Sequence, residues 1–326
     1  MNIALLGNKR AGKTSILKVV FQKISPNETL FTESTSRIEE INVYNNPYTK
    51  FTIIDFPGTF QISQMNANER KYLQNCSLVI YVLDAQDKPY ERSLDAFVSI
   101  LREVHGMNSQ CFFEMFIHKI DGDMFMNDDV KLEVLNEVSD SVRLKISDRE
   151  IPEPSYSLTS IYDLSIYEAL SKVVQKITPQ VGYLQNMLDV LMNHCRIDKV
   201  YVFDVITKLY IATDSTPVDL ISYELCSDMI DVVIDVSCIY GLVESENINS
   251  VFDKKSTAII KLDSGLTLYL REIEHMLALV CLVKADNFDR QHLIDYNIEC
   301  FREGARKIFE AREKWIKDEE ESKSFN

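Results

Sequence analysis

The sequence predicts two domains: an α/β domain whose mainly parallel sheet carries helices on both faces, then an α+β domain built on an antiparallel sheet. Three observations predict this. Through the first half, short apolar runs alternate with helical patterns, and runs such as Leu78-Val79-Ile80-Tyr81-Val82-Leu83 have no polar alternate face. Strands of that kind are buried on both sides, as in a parallel sheet covered by helices. The segment Gly7-Asn8-Lys9-Arg10-Ala11-Gly12-Lys13-Thr14 fits G-x-x-x-x-G-K-[S/T] between an apolar run and a helical stripe, the strand–loop–helix order of a phosphate-binding loop. After Ile177-Thr178-Pro179 the rhythm changes to grouped strands, since proline cannot continue the helix before it.

Taken in order, the first domain has strand patterns at 2–6, 41–44, 51–55, 78–84, 112–118 and 156–158. Helical patterns fall at 13–24, 67–74, 90–104, 129–145 and 162–177. The second domain starts with a helix at 183–194 and a hairpin, 200–205 with 209–213. A helix follows from Pro217, placed near its first turn, to about 239. Strands at 257–262, 267–272 and 278–284 come next, with Asp263-Ser264-Gly265 turning between the first two. A long helix over 290–317 closes the order α-β-β-α-β-β-β-α, which implies an antiparallel sheet with helices on it. The boundaries read 1–178, 179–317 and a charged tail, 318–326, expected to fray.

Composition narrows the function classes. The chain has 326 residues, 46% of them hydrophobic and 26% charged, enough for two ordinary globular cores. The net charge of −15 argues against nucleic acid and against docking on anionic lipid, because both demand basic surfaces. Seven cysteines, none in a C-x-x-C pair, read as reduced core thiols of a cytoplasmic protein. No run reaches the ~18 apolar residues of a membrane span. Direct membrane insertion is not expected, and residence on a membrane would need a partner. The five histidines show no metal-ligand spacing.

The phosphate loop has a defined chemistry. Gly7 and Gly12 let the backbone turn so that the N–H groups of Asn8, Lys9, Arg10, Ala11 and Ser15 can face phosphate oxygens. The helix N-terminus adds partial positive charge. Lys13 reaches the β- and γ-phosphates, and the Thr14 hydroxyl can ligate Mg²⁺. Asp55-Phe56-Pro57-Gly58 supplies D-x-x-G at a strand end: Asp55 can hold Mg²⁺ through water, and the Gly58 N–H can meet a γ-phosphate. The base is read by His118-Lys119-Ile120-Asp121, close to N-K-x-D. Asp121 can accept from a guanine's N1–H and exocyclic amine, which adenine does not offer, while the Lys119 stem packs on the base. Leu158-Thr159-Ser160-Ile161 takes the place of a further base-contacting loop, with Ser160 and Ile161 as the contacts. In Glu33-Ser34-Thr35-Ser36, Thr35 is the candidate switch threonine that closes on Mg²⁺ and γ-phosphate, with Thr32 as alternate. The ligands are therefore GTP or GDP with Mg²⁺, the metal held by Thr14, Thr35 and Asp55.

These residues resemble the Rag small GTPases, and specifically the C/D-type subunit. The likeness runs through Lys18-Val19-Val20-Phe21, Ser25-Pro26-Asn27-Glu28-Thr29-Leu30, Asp55-Phe56-Pro57-Gly58, Phe116-Ile117-His118-Lys119, Leu158-Thr159-Ser160-Ile161-Tyr162-Asp163 and Ser171-Lys172-Val173-Val174-Gln175-Lys176. It continues in the second half through 210–219 and 228–241, so it covers nearly the whole chain. The phosphate loop is shared by many proteins; His118-Lys119 in place of Asn-Lys, joined to the second-half segments, is far more specific. The resemblance implies a P-loop GTPase domain followed by a roadblock-type domain that pairs with an A/B-type Rag subunit into a heterodimer. It further implies residence at the lysosomal or vacuolar surface through a lipidated scaffold complex. There the pair relays amino-acid sufficiency to TOR complex 1, the C/D-type subunit being active with GDP.

One residue departs from the pattern. After Gly58 the family places a glutamine that orients the attacking water; here the residue is Thr59, and Gln61 is out of register. Slow intrinsic GTP hydrolysis is expected, dependent on a GTPase-activating protein that brings its own polar group. A nucleotide-holding structural subunit with negligible turnover is the alternative. An ATP-dependent phosphotransferase is disfavoured by Asp121 and by the lack of a lid or acceptor site. The wide apolar face of Met229, Ile230, Val232, Val233, Ile234, Val236 and Ile239, with Ile308, Phe309 and Trp315 on the last helix, is expected to exceed what the core needs and to line a subunit interface.

Overall fold

The computed structural model describes residues 1–43, 50–146, 151–240, 252, 256–274 and 276–324, with the side chains of 313 and of 315 onward excepted. Residue 44, read as the end of a strand, and the Trp315 side chain lie outside the described residues. The chain divides between Ile177 and Thr178 into two compact units.

Among the described residues the first unit holds six strands: β1 (Asn2–Gly7), β2 (Glu39–Val43), β3 (Phe51–Asp55), β4 (Leu78–Asp84), β5 (Phe112–His118) and β6 (Ser155–Thr159). Their order is β2-β3-β1-β4-β5-β6. All pairs are parallel except β2 with β3. Five helices accompany them: α1 (Lys13–Gln22), α2 (Ala67–Gln74), α3 (Glu91–Met107), α4 (Asp128–Lys145) and α5 (Ser165–Ile177). Leu94, Phe97, Val98, Leu101 and Val104 of α3 recur at helical spacing and pack with Val79, Tyr81 and Leu83 of β4 in one buried core. A capping box starts α2, the Asn66 side chain accepting from the Glu69 N–H and Glu69 accepting in return from Asn66 N–H.

Two helices differ from the sequence reading for local reasons. α1 stops at Gln22, two residues early, because Lys23 turns left-handed (φ 57°) and its N–H closes on the Lys18 carbonyl. α5 starts at Ser165, not 162. Ser160 Oγ accepts from the Tyr162 N–H, and Asp163 Oδ1 accepts from the Ser165 N–H, so side chains satisfy the backbone where the helix was expected.

The second unit contains α6 (Val181–Cys195), β7 (Lys199–Asp204), β8 (Tyr210–Thr213), α7 (Leu220–Tyr240), β9 (Thr257–Lys261), β10 (Leu266–Glu274), β11 (Leu277–Lys284), the single turn α8 (Ala285–Phe288) and α9 (Gln291–Ser324). The sheet is antiparallel in the order β8-β7-β11-β10-β9. Apart from α8, this is the roadblock-like α-β-β-α-β-β-β-α series. Leu184, Leu188 and Leu191 of α6 join Ile294, Ile298 and Phe301 of α9 in a core with Val200, Val202, Leu279 and Cys281. A separate aromatic group joins Tyr223 of α7 to Tyr201, Phe203 and Tyr210, with Phe203 and Tyr223 stacked at 5.7 Å.

Here too the boundaries shift. Asp219 Oδ2 accepts from the Ser222 N–H, so Asp219 caps α7 and leaves Pro217 before the helix, not in its first turn. Helix α9 runs on to Ser324, past the point where a frayed tail was expected. Residues 318–324 contain neither glycine nor proline and are rich in glutamate, a good helix former.

What the fold does for function lies at one edge of the first sheet. The carboxyl ends of β1, β3, β4, β5 and β6 deliver Gly7, Asp55, Asp84, His118 and Thr159 to the same side, where open α/β sheets bind ligands.

Candidate nucleotide-binding site

A cleft of about 550 Å³ opens at that edge. Of the residues read from sequence, it is lined by Lys9, Arg10, Ala11, Gly12, Lys13, Thr14, Ser15, Thr35 and its alternate Thr32, Gly58, His118, Lys119, Asp121 and Ile161. The loop glycines are required by space as well as by dihedral. Gly7 (φ 146°) would place a Cβ 2.4 Å from the Val82 carbonyl, and Gly12 (φ 101°) one 2.6 Å from the His118 ring. Lys13 is buried and donates to the carbonyls of Gly7 (2.9 Å) and Asn8 (3.2 Å). Burial lowers its pKa, and Asp55 opposes that shift.

Three oxygen-bearing side chains meet beside the loop. Thr14 Oγ1 lies 2.7 Å from Thr35 Oγ1 and donates to Asp55 Oδ2 at 2.8 Å, while Thr35 lies 3.4 Å from the same carboxylate oxygen. Burial raises the Asp55 carboxyl, against the pull of the Thr14 hydrogen bond and Lys13. Its second oxygen, Oδ1, is buried without a hydrogen-bond partner among the described residues. An orphaned carboxylate oxygen beside two hydroxyls is a hard donor set of the kind Mg²⁺ takes together with water and phosphate oxygens. The residues present therefore fit the metal.

At the other end, Asp121 Oδ1 accepts from Ser160 Oγ at 2.7 Å. Ser160 sits behind Asp121 and outside the lining of the cleft, so it orients the carboxylate. His118 lines the cleft but is buried, its Nδ1 2.9 Å from Thr159 Oγ1. Lys119, left-handed at φ 67°, donates to the Arg10 carbonyl at 2.7 Å and to Asp84 Oδ2 at 2.5 Å. Arg10 thus contributes its carbonyl, while its side chain is exposed.

Some predicted residues stay away from the cleft. Gly7 and Asn8 act from behind it through their carbonyls. Thr59 is exposed and outside the lining, as is Gln61, which precedes a short turn of helix at Ile62–Gln64. Neither side chain is placed for catalysis in this conformation. The sequence reading missed Thr29, Leu30, Gln86 and Tyr162 of the lining, and Asp84 behind it. For Asp84 a signal existed: it closes a buried parallel strand at the ligand-binding edge.

Residues 2–230 match the family described as the Gtr1/RagA G protein conserved region. Human Ras-related GTP-binding protein C is 46% identical over 310 residues, 94% of this chain and 76% of that protein. The chain belongs to the Gtr1/Rag family, on its C/D-type branch. Mouse Ras-related GTP-binding protein D is 45% identical over 317 residues, covering 97% of this chain and 70% of its own. GTP-binding protein gtr2 of Schizosaccharomyces pombe is 38% identical over 316 residues, 95% of this chain and 98% of that one. Membership in the Rag GTPases brings guanine-nucleotide binding and GTP hydrolysis as the family's general chemistry. Among the described residues no helix is long and apolar enough to cross a membrane.

Proposed function

We propose that this chain is the C/D-type subunit of a heterodimer with an A/B-type Rag subunit. Its guanine-nucleotide state acts as a switch that relays amino-acid sufficiency to TOR complex 1. The pair sits peripherally on the lysosomal or vacuolar surface through a lipidated scaffold complex. The observation that carries the switch is the meeting of Thr35 with Thr14 and Asp55. Thr35 belongs to the polar segment between α1 and β2, so a ligand that engages its hydroxyl fixes that segment, and loss of the ligand's terminal phosphate frees it.

The residues divide the work. The loop N–H groups and Lys13 bind the phosphates, Lys13 leaving the loop carbonyls it now holds. Thr14, Thr35 and Asp55 would hold Mg²⁺, which when bound neutralises charge on the phosphate oxygens. Asp121, oriented by Ser160, selects guanine, and Lys119 backs the base. Gly58 offers its N–H to the terminal phosphate, where a Cβ would come within 2.5 Å of the Lys9 Cα. With Thr59 exposed, no glutamine amide orients water at that position, which supports slow intrinsic hydrolysis and reliance on a GTPase-activating protein. The same observation favours a second reading, a nucleotide-holding structural subunit with negligible turnover.

Pairing is supported by the outer face of α7. Met229 and Ile230 are buried, but Val232, Val236, Ile239 and Tyr240 are 48%, 50%, 70% and 80% exposed, an apolar strip that a partner subunit would cover.

Co-expression with an A/B-type subunit tests the reading. A one-to-one complex carrying guanine nucleotide is expected, with single-turnover GTP cleavage far slower alone than with an activating protein. Copurification failing under native conditions would refute the heterodimer. Rapid cleavage by the isolated chain would refute the slow-hydrolysis assignment, and none even with an activating protein would favour the structural subunit.

A further inference from the structure

We infer that Asp84 and Gln86 are positioning residues of the guanine site, holding Lys119 in the shape from which the base loop is built. The inference rests on the guanine reading of the cleft and adds residues that act through Lys119.

Lys119 is the residue that both side chains hold. Its backbone is left-handed at φ 67°, a conformation that costs a non-glycine residue energy unless its surroundings impose it. Three bonds impose it here. Its ammonium donates to the Arg10 carbonyl of the phosphate loop (2.7 Å) and to Asp84 Oδ2 (2.5 Å), and its own carbonyl accepts from Gln86 Nε2 (2.9 Å). The two tethers are themselves locked together, because Asp84 Oδ1 accepts from the Gln86 N–H at 2.9 Å. The strands supply the register: Asp84 at the end of β4 lies opposite His118 at the end of β5, and the Ala85 N–H donates to the His118 carbonyl. Gln86 also fills the space beside Gly122, where a Cβ would lie 2.7 Å from its Nε2.

A fully exposed ion pair would count for little. This one is largely shielded, with side-chain exposures of 32% for Lys119 and 17% for Asp84. The same ammonium also ties the base loop to the phosphate loop, so its loss is felt at both ends of a bound nucleotide. Without Asp84 the ammonium keeps one neutral acceptor, and the Lys119 stem is no longer pinned along the cleft.

The test is dissociation of fluorescently labelled GDP from the full chain with Mg²⁺ present, chased with unlabelled GDP. Asp84→Ala should speed release by about tenfold, the factor that 1.4 kcal/mol makes. Asp84→Asn, isosteric and still able to accept from Gln86, should fall between it and the parent, as should Gln86→Ala. The decisive readout is coupling: in a Lys119→Ala background, Asp84→Ala should add much less than it does in the parent, since the shared ion pair is already gone and only the Asp84–Gln86 bond is left to lose. Thermal melting of each variant verifies the fold, and Asp84→Asn keeps the test open if the alanine variant does not fold. Release within about twofold of the parent for Asp84→Asn and Gln86→Ala alike, or effects of Asp84→Ala and Lys119→Ala that multiply, would overturn the inference alone. A parent chain that holds no GDP would instead remove the guanine reading beneath it.

Discussion

His118 stands immediately before the lysine of the base loop, with Gly12 against its ring and Thr159 on its Nδ1. Burial first, and the Lys119 ammonium second, lower its pKa from 6.5 to about 4. The imidazole is therefore neutral in the folded chain at physiological pH, and it acts by shape and by one hydrogen bond. Below pH 6.5 the unfolded chain takes up a proton that the folded chain accepts only near 4, so stability falls as pH drops through that window, by up to roughly 3 kcal/mol. His118→Asn should flatten the fall. Melting temperatures of the two proteins from pH 7 to pH 4.5 check it, and parallel curves would show that His118 is not the group. Asp55, raised by burial, is common to both proteins and cancels in the comparison. Residues of this kind were half legible in the sequence. The pattern named His118 but not its burial, and it passed over Asp84 because an isolated carboxylate at a strand end looks like ordinary solvated charge. Thr59 could be read as a missing glutamine, yet its exposure depends on how the chain turns after Gly58.

Among the elements, the strands were the easiest to read. β3, β4 and β5 agree with the sequence to the residue, because the central strands of the sheet read as short, nearly continuous apolar runs. Helix starts were harder, since a side chain several residues away decides them. α7 shows why: Pro217 suggested the first turn, but Asp219 makes the bond that begins the helix. Asp219→Ala should therefore destabilise the second unit by about 1 kcal/mol, read as a shift of the denaturant midpoint, while the isosteric Asp219→Asn, still able to accept from the Ser222 N–H, should cost less. Equal midpoints for the parent and the alanine variant would contradict the cap. The short 3₁₀ helix Pro26–Phe31 was not legible at all. It has no apolar period, and it leaves Leu30 and Phe31 exposed at 70% and 88%.

For the molecule as a whole, charge is distributed against its total. The chain carries −15, yet Lys9, Arg10, Lys13 and Lys119 line one cleft beside the acidic Glu33 and Asp121, so a polyphosphate there is met by individual cations and loop N–H groups rather than by the net charge. The lining residues of that cleft all belong to the first unit, and α7 of the second carries the exposed apolar strip. The two-part plan was legible early because each half has its own periodicity. Exposed apolar side chains such as Val236 and Ile239 are what sequence alone cannot separate from core. Titration with labelled GDP, in Mg²⁺ and then in excess chelator, tests the central claim most directly. The account predicts micromolar or tighter binding that weakens without Mg²⁺ and is displaced by GTP but not by ATP. No binding with Mg²⁺ present, or displacement by ATP as readily as by GTP, would contradict it.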